Sequence, residues 1–291
     1  MTTSRGARSE TAILTLSCPD QPGLVAGVAE FIAANGGNIV HAEQHTDFED
    51  GVFFQRVEFE LAGFALGREA IAPAFGEVAQ RFGMQVGLAF SDPAPRVAIL
   101  ASKEPHCLHD LLARWETGEL RAEIPLVISN HPDHTDLAEY FRVPYHHLPV
   151  EASTRADQEA ALLALLAEHN IDLVVLARYM QILSGGFVER WRNRIINIHH
   201  SFLPAFAGGK PYHQAHERGV KLIGATAHYA TEDLDDGPII DQGVIQVSHR
   251  DTVDDLVRKG RDIEKTVLAR AVSLHLAHRV LVYGTKTIVF A

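Results

Sequence analysis

Apolar positions follow two different rhythms along the chain, and the change comes near residue 92. In the first stretch Ile13, Leu14 and Leu16 make a short buried run that Pro19-Asp20-Gln21-Pro22-Gly23 stops. Leu24, Val25, Val28, Ala29 and Ile32 then recur at helical spacing, and Asn35-Gly36-Gly37 ends that helix with residues that accept a positive φ. Residues 39–44 and 51–61 read as strands, the second alternating through Phe53, Gln55, Val57 and Phe59. A second helix fits residues 68–82 despite Pro73, and a last strand fits 84–90. The order β-α-β-β-α-β predicts a ferredoxin-like domain over residues 10–91.

Ser91-Asp92-Pro93-Ala94-Pro95 is a short, polar, proline-rich join of the kind that separates domains. Beyond it the apolar residues run continuously, at 97–100, 124–128, 173–176 and 195–198, with amphipathic helical stretches such as 158–169 between them. Strands buried on both faces and spaced by helices predict a Rossmann-like, mostly parallel α/β sheet in a second domain over 96–291. A long helical pattern at 253–276 and a strand pair around Gly284 close the chain.

Composition agrees with a folded α/β protein: 46% of the 291 residues are hydrophobic, enough for two cores. With 37 acidic against 26 basic residues the net charge is -11, which disfavours nucleic acid and anionic membrane as partners. No apolar run approaches the roughly 20 residues of a membrane span. The first ten residues lack the apolar core of a secretory signal, and Cys18 and Cys107 are too few for a disulfide framework. The expectation is a cytoplasmic protein.

Ligands of open α/β sheets sit beyond the carboxyl ends of the strands. There Asn197-Ile198-His199-His200-Ser201-Phe202-Leu203-Pro204 places Asn197 and His199 on one side of a strand end. An amide and an imidazole so placed can hold and polarise one carbonyl oxygen. The competing reading is a turn-closing Asn and loop-capping histidines. A small-residue strand, Gly224-Ala225-Thr226-Ala227-His228-Tyr229, leads into Glu232, Asp233, Asp235 and Asp236 before Gly237-Pro238. One of these carboxylates can orient or charge-pair an imidazole, and spacing does not choose between Asp235 and Asp236.

The first strand–helix turn of the second domain, Ser102-Lys103-Glu104-Pro105-His106-Cys107, carries no Gly-x-Gly-x-x-Gly, and no Walker sequence occurs elsewhere. Dinucleotide and ATP chemistry are therefore not expected, and no cofactor is. Cys107 near a helix start is the runner-up nucleophile, against the plainer reading of a packed thiol. The 17 histidines include His106/His109, His131/His134 and His146-His147, none with the His-Glu-x-x-His spacing, so no metal is expected. Arg261 and Lys265 on the late helix read as a solvated face.

The segments 196–204 and 234–240 resemble the two signatures of the folate-dependent formyltransferase family, over roughly residues 96–290. The N-terminal stretch, with Cys18-Pro19-Asp20-Gln21-Pro22-Gly23-Leu24 and Asn35-Gly36-Gly37-Asn38-Ile39, resembles an ACT regulatory domain. Both together are similar to the formyltetrahydrofolate deformylase family. The resemblance implies hydrolysis of 10-formyltetrahydrofolate to formate and tetrahydrofolate, serving purine biosynthesis and the one-carbon folate pool. It implies Asn197, His199 and Asp235 as the catalytic trio, with His228 and Ser201 behind them. The pterin would lie along Arg178, Met180, Gln181 and Leu183 and the loop carrying Ala230 and Thr231. It also implies an amino-acid effector, glycine or methionine, near Asp20, Gly23 and Asn38, and a homo-oligomer, dimer or tetramer. A cis Leu203–Pro204 bond is a further implication. Formyltransferases acting on glycinamide ribonucleotide place a Gly-Ser-Asn phosphate cradle where this chain has Pro105-His106-Cys107, so the departure favours water over an amine acceptor. The alternative is formyl transfer to an unidentified amine; a non-catalytic amino-acid sensor is third.

Overall fold

A computed structural model describes residues 10–151, 154–204 and 211–290. The N-terminal unit follows the expected order: β1 (Thr11–Pro19), α1 (Leu24–Ala34), β2 (Ile39–Asp47), β3 (Val52–Glu60), α2 (Arg68–Phe82) and β4 (Gln85–Phe90). Its antiparallel sheet has the order β2-β3-β1-β4, with β1 central. One face of the sheet and both helices enclose Leu14, Leu16, Val28, Ile32, Phe59, Ile71 and Phe75. Alternation in β3 delivers Val57 and Phe59 to that core, as the period of two requires. Gly23 starts α1 at φ 94, a backbone state that costs glycine little.

In the second unit the strands are β5 (Arg96–Ala101), β6 (Glu123–Ser129), β7 (Tyr145–His147), β8 (Leu173–Ala177), β9 (Ile195–His199), β10 (Leu222–Tyr229) and β11 (Ile239–Gln246). The helices are α3 (His106–Glu116), α4 (Thr135–Tyr140), α5 (Arg155–Glu168), α6 (Gly185–Arg190), α7 (Pro211–Arg218) and α8 (Val253–Leu276). The sheet order is β11-β10-β9-β8-β5-β6-β7, parallel from β9 through β7 and antiparallel at the β10–β11 edge. Ala98, Leu100, Leu126, Ile128, Val174 and Leu176 fill the core beneath α5 and α6. No helix among the described residues is long and apolar enough to cross a membrane.

The expected extent of the second domain, 96–291, differs at its end. Residues 277–281 and 288–290 group with the N-terminal unit, although β12 (Val280–Tyr283) and β13 (Lys286–Val289) form the expected pair. Arg56 supplies the physical reason. Its guanidinium is buried in β3, pairs with Glu58 at 2.9 Å, and donates to the carbonyls of Ala277 and His278 at 3.1 Å each. A buried guanidinium needs such acceptors, and no apolar pattern announces them.

The effector residues implied by resemblance are not brought together. The main chain of Asp20 bonds to Gly51 at the start of β3, whereas Asn38 bonds to Glu60 at its other end. A nine-residue strand separates them by roughly 27 Å within one chain.

Candidate active site

The site grows from the register of two strands. Pairing of β9 with β10 sets Asn197 opposite His228 and His199 opposite Thr226, so all four side chains share one face. His228 Nδ1 donates to the carbonyl of Tyr229 at 3.0 Å, which leaves Nε2 as an acceptor 3.2 Å from the Asn197 amide nitrogen. His228 thereby fixes how the Asn197 amide is turned. Thr226, fully buried, accepts from the Leu203 amide and donates to the Ser201 carbonyl, both at 3.0 Å. This anchors the loop after β9, whose Leu203–Pro204 bond is cis. Ser201 is buried there, in the support of the site and outside the pocket wall.

The turn after β10 resolves the choice between the two aspartates. Asp235 takes φ 58, a left-handed state that Asp tolerates better than most residues. That turn returns its carboxylate to His199, with Nδ1–Oδ2 at 3.1 Å, while Asp236 stays exposed. Gly237 makes the return possible, because a Cβ there would stand 1.7 Å from the Tyr229 carbonyl oxygen. The hydrogen bond from His199 holds the Asp235 carboxyl well below the usual carboxylate range. Asp235 is thus an ionised acceptor, and His199 presents Nδ1–H to it. Nε2 of His199 is buried and has no hydrogen-bond partner. An imidazole that donates through one nitrogen and is open at the other can serve a reacting group.

These residues line a pocket of about 690 Å³. Asn197, His199, His228 and Asp235 meet there with Arg178, Met180, Gln181, Leu183, Ala230 and Thr231, all the substrate-side residues that the sequence singled out. Met180, Ile182 and Leu234 are exposed at its wall, apolar surface of the kind that accepts a flat ring. The Met180 amide donates to Ser102 Oγ at 2.9 Å, and Ser102 in turn donates to Asn130 at 2.6 Å. His134 donates to the Ser102 carbonyl at 2.6 Å. That network pins the segment after β8 to the first strand–helix turn.

One wall escaped the sequence reading altogether. Glu264, 1% exposed on α8, bonds His106 Nε2 at 2.8 Å and the Tyr212 hydroxyl at 2.5 Å, with Arg178 Nε at 3.5 Å. Burial opposes its charge, but the bond to His106, and then Arg178 and Tyr212, keep its carboxyl below the ordinary range. Arg178 reaches inward from φ 62. Among the described residues, His106, Cys107 and Glu264 offer metal-type donors within 4.8 Å. The arrangement is that of an ion-pair cluster: Arg178 already faces the carboxylate, and burial pushes the Cys107 thiol well up, away from the thiolate a metal needs.

The same burial removes Cys107 as a nucleophile. Cys107→Ala should leave turnover within about twofold of wild type; a loss of two orders of magnitude would reinstate it. A second expectation concerns acid. Burial, and then the Arg178 charge, lower His200 from 6.5 to about 4. The unfolded chain takes this proton first, so stability falls as pH drops from 6.5 to about 4, by at most about 3 kcal/mol. Unfolding midpoints measured across that window should decline, and more shallowly for His200→Asn. Identical slopes would remove His200 as a cause.

Fold and site together define the class, an ACT domain joined to a formyl-group enzyme domain. An ACT domain model matches residues 12–75, and a formyl transferase model matches residues 95–272. A formyltetrahydrofolate deformylase of Synechocystis sp. is 59% identical over 281 residues, 97% of this chain and 99% of that one. The crystal structure of a formyltetrahydrofolate deformylase from Pseudomonas syringae pv. tomato superposes with a TM-score of 0.95 at 46% identity, covering 99% of this chain and 96% of the other. A glycinamide ribonucleotide transformylase from Symbiobacterium toebii is more distant, with a TM-score of 0.64 at 32% identity over 68% of this chain and 95% of its own. The chain belongs to the formyltetrahydrofolate deformylase family.

Proposed function

We infer that this protein hydrolyses 10-formyltetrahydrofolate to formate and tetrahydrofolate. The observation that carries the reading is the convergence of Asn197, His199 and Asp235 in one pocket, with His199 Nε2 unengaged. The formyl oxygen sits between the Asn197 amide and His199 and gains charge as water bonds to the carbon. Asp235, held ionised, stabilises the imidazole in its charged form. The proton leaving the water passes to the Asp235–His199 pair and returns to the departing N10 as the carbon–nitrogen bond breaks. The reaction needs no cofactor. The pterin lies against Met180, Gln181, Leu183, Ala230 and Thr231, with Arg178 behind them.

The formate serves purine biosynthesis, and the reaction balances the one-carbon folate pool in the cytoplasm. The ACT domain supports amino-acid control, by glycine or methionine, and its edge strands support a homo-oligomer. Incubation with 10-formyltetrahydrofolate and no amine should release formate and tetrahydrofolate in equal amounts, with a rate altered by glycine or methionine. No release under any of these conditions would contradict the hydrolase.

A further inference from the structure

Hydrolysis as derived above gives no task to His106, Tyr212 or Glu264, which stand on one wall of the pocket. His106 comes from the start of α3, Arg178 from the end of β8, Tyr212 from α7 and Glu264 from α8. Three distant segments therefore converge on one buried carboxylate of α8 beside the site. The convergence is built into the helix as well. Gly260 stands inside α8, where glycine is disfavoured, and a Cβ there would lie 2.0 Å from the Tyr212 hydroxyl. Only glycine lets Tyr212 pass across α8 to Glu264.

The cluster reaches the reacting residues through His200. The His200 ring lies 5.1 Å from that of His199 and 6.1 Å from that of Tyr212. Any acceptor larger than water that came to the formyl carbon from this side would have to displace one of these rings. An amine would also need a base. The buried carboxylate on this wall is already bonded to His106 and Tyr212 and faced by Arg178, so it has little capacity left to take a proton. A fold shared with a transformylase leaves the acceptor to be chosen by side chains such as these.

We propose that the His106–Arg178–Tyr212–Glu264 cluster is the specificity determinant that closes this side of the pocket to an amine and leaves water as the formyl acceptor. The proposal rests on the hydrolase reading. In the transfer it suppresses, the amine nitrogen bonds to the formyl carbon and the carbon–N10 bond breaks. One proton leaves the amine, one arrives on N10, and nothing is oxidised or reduced.

The test uses the full-length protein with 10-formyltetrahydrofolate and excess glycinamide, reading formate against N-formylglycinamide. His106→Ala opens the wall while Glu264 keeps Arg178 and Tyr212 as partners, and His106→Ala with Glu264→Gln removes the carboxylate as well. Wild type should pass at most a trace of the formyl group to the amine, and the share captured by the amine should rise about tenfold or more in the variants. The ratio of two products does not depend on how much enzyme is folded, so a general loss of structure cannot mimic it. Active variants with an unchanged ratio, or wild type that already formylates the amine, would overturn the proposal. So would variants that melt normally yet make neither product, because the cluster would then serve catalysis. Wild type that makes neither product contradicts the hydrolase reading itself, whereas formate release with an unchanged ratio contradicts the cluster's role alone.

Discussion

Asp235→Asn lowers turnover of 10-formyltetrahydrofolate by about a thousandfold to ten-thousandfold, with little change in KM. The substitution keeps size and shape, and Asn accepts the left-handed backbone that Asp235 occupies at φ 58. What it removes is the negative charge 3.1 Å from His199 Nδ1. The neutral amide can also present an N–H where the imidazole offers one, which favours the wrong ring orientation. A charged imidazole is then no longer stabilised as the formyl oxygen gains charge and the water gives up its proton. A decrease of less than tenfold would show that Asp235 is outside the reaction. An Asp236→Asn control should stay near wild type, because Asp236 is exposed.

The second large effect concerns stability. Glu264→Ala should cost about 3–5 kcal/mol, the penalty for removing one partner of a buried charge cluster. His106 and the Tyr212 hydroxyl would lose their common acceptor, and Arg178 would lose the carboxylate it faces at 3.5 Å. In a unit of this size that corresponds to a fall in melting temperature of about 10 °C. Glu264→Gln should cost less, since an amide oxygen can still accept from Tyr212. Denaturant unfolding of the two variants beside wild type decides it; a cost below about 1 kcal/mol for Ala would mean that solvent reaches the cluster.

Much of the fold was legible because burial writes itself into periodicity. The spans of α2 and α8 match their apolar repeats, and the doubly buried strands β5, β6 and β8 read as continuous Val, Ile and Leu. Asn197 and His199 were legible as well, because a strand end places residues two apart on one face. What periodicity cannot report is a polar residue whose partners lie far away in sequence. Glu264 sits between Arg261 and Lys265, on a stretch that reads as solvated, and its burial follows from His106, Arg178 and Tyr212. The choice of Asp235 needed a left-handed turn, and the departure of residues 277–281 from the second unit needed Arg56. Asn38 is a different case. A resemblance grouped it with Asp20, and the length of β3 holds the two apart.

The most direct measurement follows the oxygen. In ¹⁸O-enriched water, with no amine present, a single turnover should give one formate per tetrahydrofolate, and that formate should carry one solvent oxygen. Asp235→Asn should give neither product on the same timescale. Formate without solvent oxygen, or tetrahydrofolate released with the formyl group bound to another acceptor, would contradict water as the nucleophile.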